Sequence, residues 1–289
     1  MTNLLSMLLD AGEYLDPAQY AEMSSRALDG FLRHLVPESI LLLAAMAMLL
    51  LDVSRRASAS RRVFHWLAFL SLLAAGVTLA LQDWKLVGAV LPDWGYLPTL
   101  IDEHGPFGSM LAHDGLSVSL RMYLLIAGLL AVGMLRSARE MKDRRLGEVY
   151  ALMLTSLAGM MLLTSANNAL MAWLAIEMMS LPSYVLIALR RRHREGAEAG
   201  LKFMLFGAVS SGCMVYGLSL LYGMAGGLGL ETIGALIANA RPAEAFGITF
   251  AFMLVLVGLG YKMAVAPMHF WAADAYEGGP TPIAGFMSV

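Results

Sequence analysis

The sequence predicts an all-α polytopic membrane protein, a bundle of about seven complete transmembrane helices with the start of an eighth. Three observations carry that prediction. Hydrophobic residues make up 58% of the 289 and charged residues only 15%, with a mean hydropathy of +0.66. A window of about 19 residues, the length that crosses a bilayer as a helix, finds apolar segments at 35–52, 63–81, 115–135, 148–166, 168–189, 201–223 and 245–268. The connections between them alternate between arginine-rich and arginine-poor, as the two sides of a membrane demand.

The same composition narrows the function. A formal net charge of −2 provides no basic stripe for nucleic acid. Cys213 is the single cysteine, so it has no disulfide partner and supports no Cys-based metal site; in its apolar run it reads as a small packing residue. His269, Asp274 and Glu277 follow H-x4-D-x2-E, which matches no metal-ligand spacing. The chain has no G-x-G-x-x-G fingerprint, P-loop or G-x-S-x-G elbow, so no nicotinamide, flavin or nucleotide site is expected on it.

Along the chain, residues 1–34 read as an amphipathic lead lying at the membrane surface. Asp10, Glu13, Asp16 and Glu22 precede any basic cluster, so the positive start of a cleaved signal peptide is missing. Residues 35–110 hold the first two spans and an outer loop. From Gln82 to His113 that loop contains PDWGYLP and DEHGPFG, whose Pro, Gly and Trp predict an ordered cap at headgroup level. Residues 111–289 hold the remaining spans. A last apolar run starts at Pro282 and stops at Val289, which would leave helix end groups unsatisfied in lipid; the natural chain is expected to continue.

Orientation follows from charge. Arg55, Arg56, Arg61 and Arg62 follow span one; Arg136, Arg139, Lys142, Arg144 and Arg145 follow span three; Arg190, Arg191, Arg192 and Arg194 follow span five. The intervening loops carry only Lys85 and Arg241. The arginine-rich loops are therefore cytoplasmic and the N-terminus faces outward. Arg121, early in span three, is expected to snorkel to the outer interface.

Two charges stand where snorkelling cannot reach. Glu177 lies ten residues into span five, about 15 Å down a helix rising about 1.5 Å per residue, and Lys262 lies about two-thirds through span seven. Burial and a nearby opposite charge act in opposite senses on such groups, which lets them exchange protons near neutrality. His269 follows Lys262 by seven residues, the same face of a regular helix, and reads as its relay partner. Lys202, second in span six, reads by position as a cytoplasmic snorkeller; the alternative is an ammonium turned inward, linking Glu177 to Lys262 through water. Ser210, Ser211, Gly212, Tyr216 and Gly217 on that span suit tight packing or a hydrated interior. Each central charge precedes a proline by five, Pro182 and Pro267, which would free the carbonyls of Met178 and Met263. With Gly258 and Gly260, this predicts a helix broken near Lys262, the mid-membrane geometry in which transporters place ions.

The segments NNALMAWLAIEMMSLPSYVLIALRRRHREGAEAGLKFMLFGAVSSGCMVYGLSLLYG and YKMAVAPMHFWAADAYEGGPTPIAGFMSV closely resemble the antiporter-like N subunits of bacterial NADH:quinone oxidoreductase, respiratory complex I. E-x-M-S-L-P and H-F-W-x-x-D-x-Y-E-G-x-P-T-P favour that family over its M and L paralogues, and the likeness runs from about His113 to the end. It implies an antiporter-like fold, with 111–289 a truncated proton-translocating repeat. It also implies an inner-membrane location and membrane neighbours that include another antiporter-like subunit. Proton movement would be driven by quinone reduction elsewhere, with FMN, iron–sulfur clusters and quinone in partner subunits. The functional residues implied are Glu177, Lys202, Lys262 and His269. Met268 and Ala273 depart from the family's usual Phe and Pro, which implies a looser turn after span seven. Such proteins have about fourteen spans in two inverted repeats, and here the second is absent. A multisubunit cation/proton antiporter subunit and a structural assembly subunit with static buried charges are the alternative readings.

Overall fold

The computed structural model describes residues 34–54, 61–82, 110–112, 114–137, 146–189 and 194–288. Residues 1–33 of the predicted lead and nearly all of the predicted outer cap lie outside them, as do Arg55, Arg56, Arg139, Lys142, Arg144, Arg145, Arg190, Arg191 and Arg192.

The described residues form ten helices: α1 Val36–Ser54, α2 Arg61–Gln82, α3 Gly115–Ser137, α4 Leu146–Thr164, α5 Ala169–Ile187, α6 Arg194–Ala225, α7 Leu230–Ala238, α8 Ala245–Lys262, α9 Phe270–Gly278 and α10 Thr281–Met287. Seven of them, α1 to α6 and α8, are long and apolar enough to cross a membrane, and they coincide with the seven predicted segments. Helix is the form a lipid-facing chain is driven to, since each peptide group is satisfied within its own segment. Exposed Leu43, Leu50, Val53, Leu70, Val77 and Leu130 cover the outer faces, as lipid contact requires.

α4 is the central post: 72% of its apolar window is buried, against 28% for α1 and for α8. α1, α2 and α3 pack around it, and the core they share, with Leu41, Met48, Leu72, Leu135, Leu154 and Met161, also takes in Ile283 and Phe286 of α10. On its other side α4 meets α5, then α6, then α8 and α9. Gly159 makes the α4–α5 contact possible: a Cβ there would lie 2.6 Å from the backbone nitrogen of Met179. Small residues let membrane helices approach this closely. Gly258, expected to weaken its helix, has the same role between α8 and α6; a Cβ would come within 2.5 Å of Met214 Cβ.

The predicted break is present, and sharper than span 245–268 implied. α8 stops at Lys262, and residues 263–269 run without helix to α9. Ala264 takes a left-handed φ of 52° and the Ala266–Pro267 bond is cis. Pro267 stands in this non-helical stretch, so Met263 has no helical donor to lose to it, and the carbonyl-freeing argument fails there. Pro182, by contrast, lies within α5. Two further features were not predicted. α6 runs for 32 residues, and a short helix, α7, separates α6 from α8. Ala273 lies inside α9.

Candidate functional site

α5 and α8 bring the charges of two apolar helices together. Lys262 Nζ lies 3.2 Å from Glu177 Oε1, with the side chains 8% and 19% exposed. The same ammonium donates to Ser180 Oγ at 2.8 Å and to Tyr184 OH at 3.0 Å. An ammonium has three donors, and here each has an oxygen. Glu177 Oε1 also accepts from Ser211 Oγ of α6 at 2.7 Å, and Ser211 accepts in turn from Trp173 Nε1 at 3.0 Å.

This arrangement follows from helical periodicity. Residues 177, 180 and 184 stand at i, i+3 and i+7, so one face of α5 presents a carboxylate and two hydroxyls in a row. α8 delivers the ammonium at its final residue, where the chain leaves the helix. The site sits at a seam between two apolar clusters: Ile176, Met214, Leu218 and Val255 on one side, and Tyr184, Phe203, Tyr261 and Trp271 on the other. Low-dielectric walls strengthen the attraction, and a proton passing from ammonium to carboxylate would abolish both charges.

Lys202 stands apart from this pair. Its ammonium lies 2.8 Å from Glu198 and 3.0 Å from Asp274 of α9, its side chain is 44% exposed, and it borders a cavity of about 180 Å³ lined by Glu198, Ala199, Asp274, Glu277 and Gly278. Neither Glu177 nor Lys262 is among these partners. Phe203 and Tyr261, each next in sequence to one of the two lysines, belong to one aromatic cluster with Tyr184 and Trp271. Phe203 stacks on Trp271 at 4.2 Å and takes the edge of Tyr184 at 4.6 Å. Tyr261 OH donates to the Phe203 carbonyl and Trp271 Nε1 to the Tyr261 carbonyl, each at 2.8 Å, so their polar atoms are committed to backbone.

His269 is exposed and stands just before α9, beyond the break. The seven-residue spacing from Lys262 therefore does not place the two on one helical face, because no continuous helix joins them. Arg121 corrects a second expectation. It is fully buried, 3.3 Å from Glu38 Oε1 of α1, and so does not snorkel. Sequence reasoning missed Ser180, Tyr184 and Ser211 as ligands of the pair, although their spacing on α5 was readable for the first two. It considered Asp274 only for a metal, and it overlooked Glu38. Among the described residues, no three His, Cys, Asp or Glu side chains are grouped to hold a metal ion.

The apolar helices and the buried ion pair at a helix break define a multi-pass membrane protein. Comparison with known proteins makes this specific: residues 166–289 match the family described as NADH:quinone oxidoreductase/Mrp antiporter, transmembrane. Over 256 residues it is 34% identical to the chloroplastic NAD(P)H-quinone oxidoreductase subunit 2 of Chlorokybus atmophyticus, covering 88% of this chain and 47% of the relative. It is 32% identical over 260 residues to NADH-quinone oxidoreductase subunit N of Anaeromyxobacter sp. (strain Fw109-5), with the same coverage of each. Among solved structures it matches a chain of respiratory complex I from Thermus thermophilus with bound aureothin, at TM-score 0.64 and 32% identity over 88% of this chain and 50% of that one. A chain of the membrane-bound sulfane sulfur reductase, an archaeal respiratory membrane complex, matches at TM-score 0.72 and 20% identity over 88% of this chain and 49% of that one, a likeness of fold. The chain spans about half the length of the curated relatives it matches.

Proposed function

We propose that this chain forms part of a proton-translocating membrane subunit of an NADH:quinone oxidoreductase. The observation that carries the reading is Lys262, at the end of a broken helix, with its ammonium on Glu177, Ser180 and Tyr184. Separation and reunion of Glu177 and Lys262 gate proton uptake, because each separation exposes a charge that a proton must neutralise. Lys202 passes the proton on, and His269 serves the neighbouring path. The aromatic cluster of Tyr184, Phe203, Tyr261 and Trp271 keeps water from joining Lys202 to Lys262 until the break moves.

Electron transfer from NADH to quinone belongs to partner subunits, which carry the FMN, iron–sulfur clusters and quinone; this chain contributes ion chemistry and holds no redox centre. It lies in the bacterial inner membrane beside other membrane subunits of the complex, including a neighbouring antiporter-like subunit. Its N-terminus is outside, as the arginine-rich loops support. A native gel of gently solubilised membranes, with the full-length protein tagged and the gel stained for NADH dehydrogenase activity, tests the assignment. The tag should run in a stained band of high mass.

The family description also covers Mrp antiporters, which supports a second reading as a cation/proton antiporter subunit. That reading requires a tagged band that never stains, together with pH-dependent cation exchange in vesicles.

A further inference from the structure

Arg121 heads the largest fully buried side chains among the described residues, and its charge lies well away in sequence from the Glu177–Lys262 pair. It reaches from α3 to two other helices. Toward α1 it meets Glu38, itself 1% exposed and held by this ionic contact, since among the described residues neither carboxylate oxygen receives a hydrogen bond. Toward the end of α4, Nη2 donates to Ser165 Oγ at 2.8 Å and Nε to the Met161 carbonyl at 3.4 Å.

What Arg121 grips is a junction. Ser165 begins the turn between α4 and α5, and that turn is tied on both flanks: Ala112 donates to the Ser165 carbonyl and Asn167 to the Met110 carbonyl, while Ala169 donates to the Leu228 carbonyl. Asn168 then caps α5 by accepting from Leu170. Further along α4, Gly159 sits against the backbone of Met178 and Met179, and Ser156 donates to the Met179 carbonyl at 2.9 Å. The register of α4 therefore sets where Glu177, the residue before Met178, stands.

We propose that Glu38 and Arg121 are a positioning pair for the Glu177–Lys262 site: by clamping α1 and α3 onto the α4–α5 turn, they hold α5 at the register that lets Glu177 meet Lys262. The proposal rests on the functional reading above. A permanently charged guanidinium suits the role, because its planar fork holds a carboxylate, a hydroxyl and a carbonyl at fixed directions and does not titrate. Buried in a membrane bundle, it keeps its partners with little competition from solvent.

The test uses the full-length chain in the assembled complex and measures NADH-driven proton translocation per assembled complex, with assembly read from native gels. Three variants are compared: the neutral double Glu38→Gln/Arg121→Gln, which leaves no unpaired charge; Ser165→Ala, which removes only the hydroxyl Arg121 holds; and Ser165→Thr, which keeps it. A purely structural role would lower the amount of complex and leave the rate of each one intact. The positioning role predicts complexes that assemble but translocate more slowly, by up to about a hundredfold for the double, the scale on which misplacing a reacting group by about 1 Å acts. Ser165→Ala should fall in the same direction, and Ser165→Thr should recover. Wild-type rates per complex in both the double and Ser165→Ala would overturn the proposal. If the double does not assemble, Ser165→Ala decides alone, a full rate overturning the proposal and a reduced one supporting it. Glu177→Gln is the parallel control: if it too translocates normally, the functional reading itself fails, whereas a defect confined to Glu177→Gln sinks only the positioning pair.

Discussion

The Tyr261 hydroxyl donates to the Phe203 carbonyl across 2.8 Å, and each of these residues is next in sequence to a lysine, Lys262 and Lys202. One hydrogen bond thus joins the backbone that carries the open-side lysine to the backbone that carries the buried one. Both ends are buried, Tyr261 at 2% and Phe203 at 5% exposure. Tyr261→Phe should keep the ring packing and leave the Phe203 carbonyl with its helical donor alone, costing about 0.5–1.5 kcal/mol. A thermal melt of the purified complex should show a lower midpoint; an unchanged midpoint would mean the bond does not hold α6 to the break.

Tyr184 supplies one of the three oxygens around the Lys262 ammonium and also the ring edge that meets Phe203. Tyr184→Phe removes the oxygen and keeps the ring, so packing should survive. A hydrogen bond to a charged group contributes about 1.5–3 kcal/mol, so NADH-driven translocation per complex should fall about tenfold or more while assembly is normal. Ser180→Ala should act in the same direction. Normal translocation in both would show that the ammonium does not depend on its hydroxyl ligands.

Glycine substitutions should separate close packing from open surface. At Gly159 an added Cβ meets the backbone of Met178 and Met179, whereas at Gly212 it meets nothing within 4 Å. Gly159→Ala should therefore destabilise by about 1–3 kcal/mol, in the manner of overpacked cores. Gly212→Ala should be neutral or gain up to about 1 kcal/mol from helix propensity. Proteolytic susceptibility of the assembled subunit distinguishes them, and equal tolerance would contradict the α4–α5 contact.

Asp274 holds Lys202 across the α6–α9 junction, but both side chains are 44% exposed. Exposed ion pairs add little to stability because solvent screens them, so Asp274→Asn should barely move the melting midpoint. Its effect should instead be on the rate at which protons reach Lys202 from the cavity side, read as slower translocation at equal assembly. A large loss of stability with an unchanged rate would make Asp274 a structural residue.

Much of the fold was legible because lipid imposes a simple rule, about 20 apolar residues for each crossing, and α1 to α6 and α8 obey it. The pair itself was legible too, since Glu177 and Lys262 were charges in apolar runs. Their companions were harder to find. Ser180 and Tyr184 are ordinary residues in a membrane helix, and only the helical phase set by Glu177 marks them. Gly258 showed why composition misleads: the residue that loosens an isolated helix is here the one that lets α6 approach. Lys262 and His269 lost their shared face because the chain breaks between them, and a spacing argument assumes the helix it needs. Arg121 was misread because depth alone suggested snorkelling, while its partner Glu38 lies 83 positions away on another helix. Such pairings are set by tertiary packing, which one sequence read alone does not display.

The most direct measurement is NADH-driven proton translocation by vesicles carrying the assembled complex with Lys262→Ala in the full-length chain, compared with wild type at equal amounts of complex. Removing the ammonium takes away the charge that Glu177, Ser180 and Tyr184 surround, so translocation should be lost. Translocation at the wild-type rate would contradict the assignment of Glu177 and Lys262 as the pair through which this chain moves protons.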